Sequence, residues 1–188
     1  FRDDTIRKFQ LGYSLEERDA MTKAALAHGF KEDVLVKTGL SYRTDDGRLL
    51  DRYHGRVIFP VNTLSGKVVA FGGRILSSDK KLAKYVNTRE SIIYSKSHEL
   101  YGLYQARNAI VKQQRCFLVE GYTDVISMHQ SGIENVVASS GTSLTEGQVR
   151  LLHRFTQNIT ILYDGDAAGI KASIRCIDML LSEGLNIK

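Results

Sequence analysis

The sequence predicts an α/β protein: an α+β lobe at residues 1–112 is followed, at residues 113–188, by a lobe with a parallel sheet flanked by helices. Two observations predict this fold. β-rich runs joined by tight turns dominate the middle of the first lobe, and short apolar strands alternate with amphipathic helices from Cys116 onward. The polar run Gln113-Gln114-Arg115, where the hydrophobic period changes, marks the predicted boundary.

The first lobe has patterns typical of short helices and a small antiparallel sheet. Glu16 and Glu17 lie in the first turn of a predicted helix from Leu15 to His28, which Gly29 ends. The turn Asp45-Asp46-Gly47 is of a kind that joins hairpin strands. The predicted strands are Ser41–Thr44, Leu49–Arg52, Arg56–Val61 and Lys67–Phe71, and a second clear helix is predicted from His98 to Lys112.

The second lobe alternates between buried strands and helices. Such alternation is typical of right-handed βαβ crossovers, which place their strands side by side in a parallel sheet. The predicted strands are Cys116–Val119, Asn135–Ala138 and Ile159–Tyr163. The predicted helices are Tyr122–Ser131, Thr145–Phe155 and Ala167–Ser182.

The net charge of +5 is divided unevenly between the two lobes. Residues 1–112 contain 20 Lys and Arg against 13 Asp and Glu, a net charge of +7, whereas residues 113–188 contain 6 against 8, a net charge of −2. A basic lobe beside an acidic one suits a protein that binds nucleic acid with one part and a metal with the other.

Cysteine usage and hydrophobic runs exclude other classes. Cys116 and Cys176 form no CxxC pair, so we expect two buried thiols in a reducing cytoplasm, with a disulfide between them as the less favoured alternative, and no zinc within this fragment. No apolar run is long enough for a membrane span, so no membrane partner is expected. The first residues lack an initiator Met and a signal core, which indicates a fragment of a longer protein.

Two predicted strands end in acids that glycine follows at once. Glu120 precedes Gly121, and Asp164 and Asp166 flank Gly165. Because ligands collect at the carboxyl ends of parallel strands, we expect the three carboxylates to converge if the strands are neighbours. A divalent cation stabilises such a group of charges, and hard oxygen ligands favour Mg²⁺, with Mn²⁺ as a substitute.

Simpler interpretations exist for each acid. Asp164 and Asp166 are also suited to cap a helix, and Glu120 to a solvated strand end; the two turns together favour the metal site. Asp124 falls in the first turn of the next helix, where it faces the same cavity, caps the helix or complements the helix dipole. Capping-box spacing occurs twice just before the second helix, at Ser143 and Glu146 and at Thr145 and Gln148.

The motifs of the second lobe are Glu120-Gly121-Tyr122-x-Asp124-Val125, Ser140-Gly141-Thr142-Ser143-Leu144-Thr145 and Tyr163-Asp164-Gly165-Asp166-x-Ala168-Gly169. They resemble the TOPRIM fold as it occurs in DnaG-type bacterial primases. Upstream, the runs Gly55-Arg56-Val57-Ile58-Phe59-Pro60, Phe71-Gly72-Gly73-Arg74, Lys84-Tyr85-x-Asn87, Tyr94-x-Lys96 and Leu100-Tyr101-Gly102-Leu103-Tyr104 resemble the lobe that primases place before TOPRIM. The resemblance covers essentially the whole chain.

This resemblance implies an enzyme that synthesises short RNA primers on single-stranded DNA from ribonucleoside triphosphates. It implies that Glu120, Asp164 and Asp166 hold catalytic Mg²⁺, with Asp124 close to the metal. It further implies that five polar residues hold triphosphate oxygens and template phosphates: Arg56, Arg74, Lys84, Asn87 and Lys96. Departures from the usual pattern, Ala83 and Arg89 for proline and Thr123 for methionine, affect loop shape and remove no acid.

The resemblance also implies a cytoplasmic protein of the replication fork. The helicase-binding domain, the zinc-binding domain and a further acidic motif would belong to parts outside this fragment. Two other functions stay open at this point: a TOPRIM nuclease or topoisomerase-like enzyme, and a nucleic acid binding module whose acids hold no metal. A topoisomerase would need a tyrosine nucleophile in a further domain.

Overall fold

The structure is a computed structural model that describes residues 1–77, 82–140 and 143–188. Its helices are α1 (Asp3–Lys8), α2 (Ala20–Ala27), α3 (Glu32–Lys37), α4 (Leu103–Gln113), α5 (Tyr122–Gln130), α6 (Glu146–His153) and α7 (Ala167–Ser182). Its strands are β1 (Gly12–Ser14), β2 (Ser41–Arg43), β3 (Leu49–Asp51), β4 (Arg56–Asn62), β5 (Val68–Ile75), β6 (Tyr85–Asn87), β7 (Cys116–Val119), β8 (Val136–Ala138), β9 (Asn158–Ile161) and β10 (Asn186–Ile187). Among the described helices, none is both long and apolar enough to cross a membrane.

The chain forms two compact units. One, the parallel-sheet unit, consists of Phe1–Phe9, Val61–Val68 and Lys96–Lys188. The other, the antiparallel-sheet unit, consists of Gln10–Pro60 and Val69–Ser95.

The antiparallel-sheet unit contains most of a four-stranded sheet with the order β1-β4-β5-β6 and the separate hairpin β2-β3. The hairpin confirms the prediction made from the Asp-Gly turn: Ser41 pairs with Asp51, and Gly47 adopts a φ of +84° in the connecting turn. A residue with a side chain adopts that left-handed backbone only with strain, so glycine is required there.

The first predicted helix is shorter than its pattern. We predicted Leu15 to His28, whereas α2 covers Ala20–Ala27. The reason is a distant partner: the buried Asp51 carboxylate accepts hydrogen bonds of 2.8 Å from the backbone N–H groups of both Met21 and Thr22, which fixes where the helix begins. The predicted end is confirmed, since Gly29 follows α2 in a left-handed conformation.

The parallel-sheet unit contains a sheet with the order β10-β9-β7-β8, in which every neighbouring pair is parallel. This confirms the predicted parallel sheet and adds the two-residue strand β10, which the sequence pattern did not predict. Helices cover a core of fully buried side chains, among them Leu118, Leu152, Ile159 and Leu180. Cys116 and Cys176 are buried free thiols, as predicted.

The two units do not follow the predicted boundary between residues 112 and 113. Helix α4 belongs to the parallel-sheet unit because its buried residues Leu103, Ala106 and Ile110 join the core around β7. Before α4, Tyr101 and Ala138 exchange backbone hydrogen bonds of 2.9 and 3.0 Å, which attach the preceding segment to β8. The longest segment of the parallel-sheet unit therefore begins at Lys96. Two earlier segments, Phe1–Phe9 and Val61–Val68, also belong to this unit.

Candidate active site

The ends of β7 and β9 lie side by side. The backbone N–H of Leu162 donates to the carbonyl of Leu118 at 2.9 Å, so the pairing continues one residue past β9. Glu120 follows β7 directly, and Asp164 lies just beyond the end of β9. The two acid-bearing strands are therefore neighbours, a condition that the sequence pattern had left open.

A hydrogen bond joins the two strand ends. Oε1 of the partly buried Glu120 accepts from the backbone N–H of Asp164 at 2.9 Å. Gly169 passes close to this contact: a Cβ at that position would lie 2.1 Å from the Asp164 carbonyl oxygen and 2.9 Å from Oε1 of Glu120. The close approach of the first turn of α7 to these two acids thus depends on glycine.

Asp166 caps α7, as one of the sequence alternatives proposed. Its Oδ1 accepts from the backbone N–H of Gly169 at 2.7 Å and satisfies a donor that the helix leaves free. The neighbouring Asp164 side chain is exposed, and its carboxylate accepts no hydrogen bond from any described residue. At this strand end, the structure therefore presents one carboxylate engaged in capping and one available to a ligand.

Asp124 also has a local role. Its Oδ2 accepts from the backbone N–H of Gly121 at 3.0 Å, which closes the turn between β7 and α5. Within the described residues, no group of three or more His, Cys, Asp or Glu side chains has an arrangement that would hold a metal. The convergence of Glu120, Asp164 and Asp166 on a metal therefore stays a prediction.

A cavity of about 410 Å³ opens beside the acids, and we call it the α7 cavity. Glu120, Asp166 and Tyr163 are among the residues that line it. The Tyr163 hydroxyl lies 3.5 Å from Sγ of Cys176; burial raises the pKa of this phenol, and the contact with the thiol raises it further. The hydroxyl therefore stays protonated at neutral pH.

Among the residues predicted to bind nucleotide or DNA, Arg56 is the most buried, with 8% of its surface exposed. Its Nη1 donates to the carbonyls of Ala83 at 2.9 Å, Gly73 at 3.3 Å and Lys84 at 3.4 Å. Burial also lowers the pKa of the guanidinium. Arg56 thus ties β4 to β5 and to the segment that enters β6.

Arg74 and Asn87 share one face of their sheet. In the β5–β6 ladder, Arg74 pairs with Tyr85 and Gly72 with Asn87, and residues directly opposite one another project to the same side. Arg56 projects to the opposite side, since a Cβ on Gly73 would lie 3.1 Å from its Cδ atom. The structure therefore brings Arg74 and Asn87 together and separates Arg56 from both.

Lys84 is exposed just before β6, in the antiparallel-sheet unit, whereas Lys96 lies in the unit that carries the acids. The backbone around Lys96 is fixed by Gln148, which is fully buried. Nε2 of Gln148 donates to the carbonyls of Lys96 at 3.1 Å and Glu99 at 2.8 Å. Sequence reasoning missed this role of Gln148.

The role of Gln148 had one signal in the sequence, its capping-box spacing from Thr145. The structure confirms this capping box, because each side chain accepts a hydrogen bond from the other residue's backbone N–H. The Thr145 hydroxyl also donates to the carbonyl of Ser97 at 2.6 Å. The start of α6 therefore holds the segment that carries Lys96. The turn residues Gly141 and Thr142, also part of the sequence motif, lie outside the described residues.

Two family profiles match the chain. The profile "DNA primase catalytic core, N-terminal domain" matches residues 1–107, and the profile "Toprim-like" matches residues 117–188. The DNA primase of Halalkalibacterium halodurans is 45% identical over 100% of this chain and 31% of its own length. The chain thus spans about a third of the length of that relative.

Solved structures give the same result. The Aquifex aeolicus primase, with its zinc-binding and RNA polymerase domains, superimposes with a TM-score of 0.91 at 37% identity, over 99% of this chain and 45% of that one. A DnaG primase catalytic domain bound to single-stranded DNA superimposes with a TM-score of 0.86 at 37% identity, over 97% of this chain and 58% of that one.

The parallel sheet with acids at its carboxyl edge, preceded by a primase-type N-terminal domain, defines a Toprim-containing catalytic core. The chain belongs to the DnaG family of bacterial DNA primases.

Proposed function

We propose that this chain is the catalytic core of a DNA primase, a nucleotidyltransferase that joins ribonucleotides on a single-stranded DNA template with the help of Mg²⁺. The observation that carries the proposal is the position of Glu120, Asp164 and Asp166 at the ends of two adjacent strands, with Glu120 hydrogen bonded to the backbone of Asp164. A similar catalytic domain binds single-stranded DNA, which supports the template.

The donor set at this edge fits Mg²⁺. All three side chains offer hard carboxylate oxygens, and Glu120 and Asp166 each use one oxygen for a described hydrogen bond and keep the other. Mn²⁺ is expected to substitute. Glu120, Asp164 and Asp166 would hold this metal, and it would supply charge neutralisation for the phosphoryl group and the departing pyrophosphate. We assign Asp124 to holding the Gly121 turn beside the metal ligands, through its 3.0 Å hydrogen bond.

The polar residues would position phosphates. We propose that Arg74, Lys84 and Lys96 contact triphosphate or template oxygens, and that Asn87 adds a neutral hydrogen bond from the face it shares with Arg74. The family pattern assigns Arg56 to the same task. Because its Nη1 holds the carbonyls of Ala83 and Lys84, we propose that Arg56 contributes by positioning Lys84.

The proposal is tested by primer synthesis from labelled ribonucleotides on single-stranded DNA with Mg²⁺ or Mn²⁺ and no added primer. The chain is assayed alone and grafted in place of the matching segment of the H. halodurans primase. We expect short RNA from the graft and none after Asp164→Asn. The control Asp178→Asn removes the same charge from an exposed acid of α7 and should keep full synthesis. RNA synthesis by Asp164→Asn would contradict the proposal.

The other functions raised by the sequence, strand cutting by a TOPRIM nuclease or topoisomerase and metal-free nucleic acid binding, gain no specific support. Both parts of the chain match primases, and the relatives that cover it are primases.

The same proposal places the protein in the bacterial cytoplasm, at the replication fork. There we propose that it meets the replicative helicase and a zinc-binding domain.

A further inference from the structure

A second cavity lies within the antiparallel-sheet unit, to which all of its lining residues belong. Its volume is about 460 Å³, within the range of roughly 300–1,000 Å³ typical of ligand pockets. Strand β1 lines it, together with the exposed Ala24 of α2 and the partly buried Leu40, Ile58 and Phe71. We call it the β1 groove. None of the residues proposed to hold metal or phosphate lines it.

Strand β1 has a free edge. The order β1-β4-β5-β6 gives it a partner strand on one side only. Just after β1, the Leu15 carbonyl accepts a hydrogen bond of 2.8 Å from the backbone N–H of Gly55, on the β4 side. Because the backbone groups of an antiparallel strand alternate between its two sides, those of Tyr13 also point to β4, and those of Gly12 and Ser14 point to the free edge. No described residue forms a hydrogen bond with Gly12 or Ser14 there.

The face of β1 next to the groove has little bulk. Gly12 pairs with Ile58, which lines the groove, so the two residues lie on the same face of the sheet. A Cβ on Gly12 would have nothing within 4 Å. Helix α2 contributes the small residues Ala20 and Ala24 to the lining. An extended chain added beside β1 would therefore place its alternate side chains next to this space.

The charges favour a peptide over a nucleic acid as the occupant. No Lys or Arg lines the groove. Its one charged lining residue, Asp51, is buried, and the carboxylate is already hydrogen bonded to the start of α2. Residues 16–19, which lead away from β1 after Leu15, contain three acids and one Arg. This excess of negative charge repels phosphates and attracts the side chain of a lysine or arginine.

We propose that the β1 groove is a docking site for an extended peptide segment of a partner protein. The segment pairs with Gly12 and Ser14 as a fifth strand of the sheet, places apolar side chains at alternate positions in the groove, and carries a basic residue beside Glu16 and Glu17. Main-chain hydrogen bonds supply affinity, and the groove supplies selectivity. This docking is separate from the proposed metal site and does not depend on primer synthesis.

Fluorescence anisotropy with labelled synthetic heptapeptides tests the proposal. Each peptide has lysine at both ends and, between them, threonine alternating with one apolar residue, which is valine, leucine or phenylalanine. The control for each peptide has the same composition but places its apolar residues side by side. At least one alternating peptide should bind the 188-residue chain at least about tenfold more tightly than its control. Failure of all the alternating peptides to do so would overturn the proposal.

Two alanines of α2 provide a matched pair of variants. Ala24 and Ala27 are both exposed, but only Ala24 lines the groove. Ala24→Leu should weaken peptide binding about tenfold, whereas Ala27→Leu should bind like the wild type. Leucine is nearly as good a helix former as alanine, so both variants should fold. Gly12→Leu, at a position with open space, should also weaken binding. Wild-type binding by both Ala24→Leu and Gly12→Leu would contradict the proposal.

Strand pairing has its own measurements. Amide N–H groups at alternate positions of an extended peptide point to the same edge. Methylation of the amide nitrogens of either the apolar residues or the threonines, but not of both sets, should therefore abolish binding. By NMR, the bound peptide should slow hydrogen exchange at the N–H groups of Gly12 and Ser14 by at least about tenfold. Unchanged exchange at both residues would refute strand addition.

Other occupants would give different results. If a labelled single-stranded oligonucleotide binds the chain and Ala24→Leu weakens that binding, the groove is a nucleic acid site and the peptide proposal is wrong. If the chain sediments as a dimer that Ala24→Leu dissociates, a second copy covers the groove, and the proposal is again wrong. A chain that sediments as a monomer, with oligonucleotide binding equal in Ala24→Leu and Ala27→Leu, is the result that we expect.

Discussion

Glu120 and Asp164 are 44 positions apart in the chain, yet Oε1 of Glu120 accepts a hydrogen bond from the backbone N–H of Asp164 at 2.9 Å. Glu120 therefore contributes in two ways, as a hydrogen-bond acceptor and as a negative charge. A glutamine at position 120 keeps an acceptor oxygen at the same reach and loses the charge, whereas an alanine loses both. Glu120, Asp164 and Asp166 lie at the carboxyl ends of β7 and β9, and we call this part of the sheet the acid edge. Its geometry and its charge can therefore be tested separately.

We predict that Glu120→Gln unfolds at nearly the same denaturant concentration as the wild type, while Glu120→Ala loses about 1 kcal/mol, the usual contribution of one hydrogen bond. Both variants should lose primer synthesis, because each removes a proposed metal ligand. Urea denaturation and the primer assay measure the two effects. Equal destabilisation by the two substitutions would show that the bond to Asp164 does not stabilise the strand ends.

Gly169→Ala should damage the acid edge through sterics alone. The new Cβ would lie 2.1 Å from the backbone oxygen of Asp164, so the turn between β9 and α7 must shift. We expect a loss of about 2 kcal/mol or more in the free energy of unfolding, as for other overpacked sites. Gly165→Ala is the control, because nothing lies within 4 Å of its Cβ position. Equal stability of the two variants would contradict this account of the glycine.

Gln148→Glu should disturb Lys96 without touching the acids. A carboxylate at position 148 cannot donate to the carbonyls of Lys96 and Glu99, so two part-buried acceptors lose their partner, at a cost of about 1–3 kcal/mol. We also expect a higher KM for nucleotides or template if Lys96 contacts phosphate. Gln157→Glu, the same change at an exposed position, is the control. Unchanged stability of Gln148→Glu would show that these bonds are not needed.

His129 should make the stability of the parallel-sheet unit depend on pH. The side chain is 6% exposed, packs edge-on against Phe9, and its pKa is lowered from 6.5 to about 4, first by burial and then by the charge of Lys8, with Glu134 opposing. The unfolded chain therefore binds more protons than the folded chain between these two values. The stabilisation is fully present above pH 6.5 and is lost as the pH falls toward 4.

We predict that the free energy of unfolding declines between pH 6.5 and 4 by up to about 3 kcal/mol from this residue, and that His129→Leu makes the decline shallower. Urea denaturation at a series of pH values measures the slope. His153→Leu, at an exposed histidine, serves as the control. An identical slope in wild type and His129→Leu would refute this assignment.

The features that the sequence predicted are those with a local signal. The parallel sheet followed from short apolar strands alternating with helices, and the location of Glu120 and Asp164 at the same edge of the sheet followed from the rule that ligands collect at the carboxyl ends of such strands. The β2–β3 hairpin followed from its Asp-Gly turn. In each case, neighbouring residues carry enough information to define the element.

The features that were missed depend on distant partners. The start of α2 is fixed by Asp51, about thirty positions later. The backbone hydrogen bonds between Tyr101 and Ala138 attach the segment before α4 to the parallel-sheet unit, so the unit does not begin at the predicted boundary. The local bonds of Asp166 and Asp124 were foreseen as alternatives, but spacing alone did not decide between capping and metal binding. Sequence periodicity likewise does not predict the side-chain geometry at the acid edge.

The most direct test of the central claim is a titration of this chain with Mn²⁺, followed by electron paramagnetic resonance of the free ion. If Glu120, Asp164 and Asp166 hold the metal, the wild type and Asp178→Asn should bind Mn²⁺ alike. Asp164→Asn should bind it at least about tenfold more weakly. Equal affinities in Asp164→Asn and Asp178→Asn would contradict the claim that these acids form the metal site.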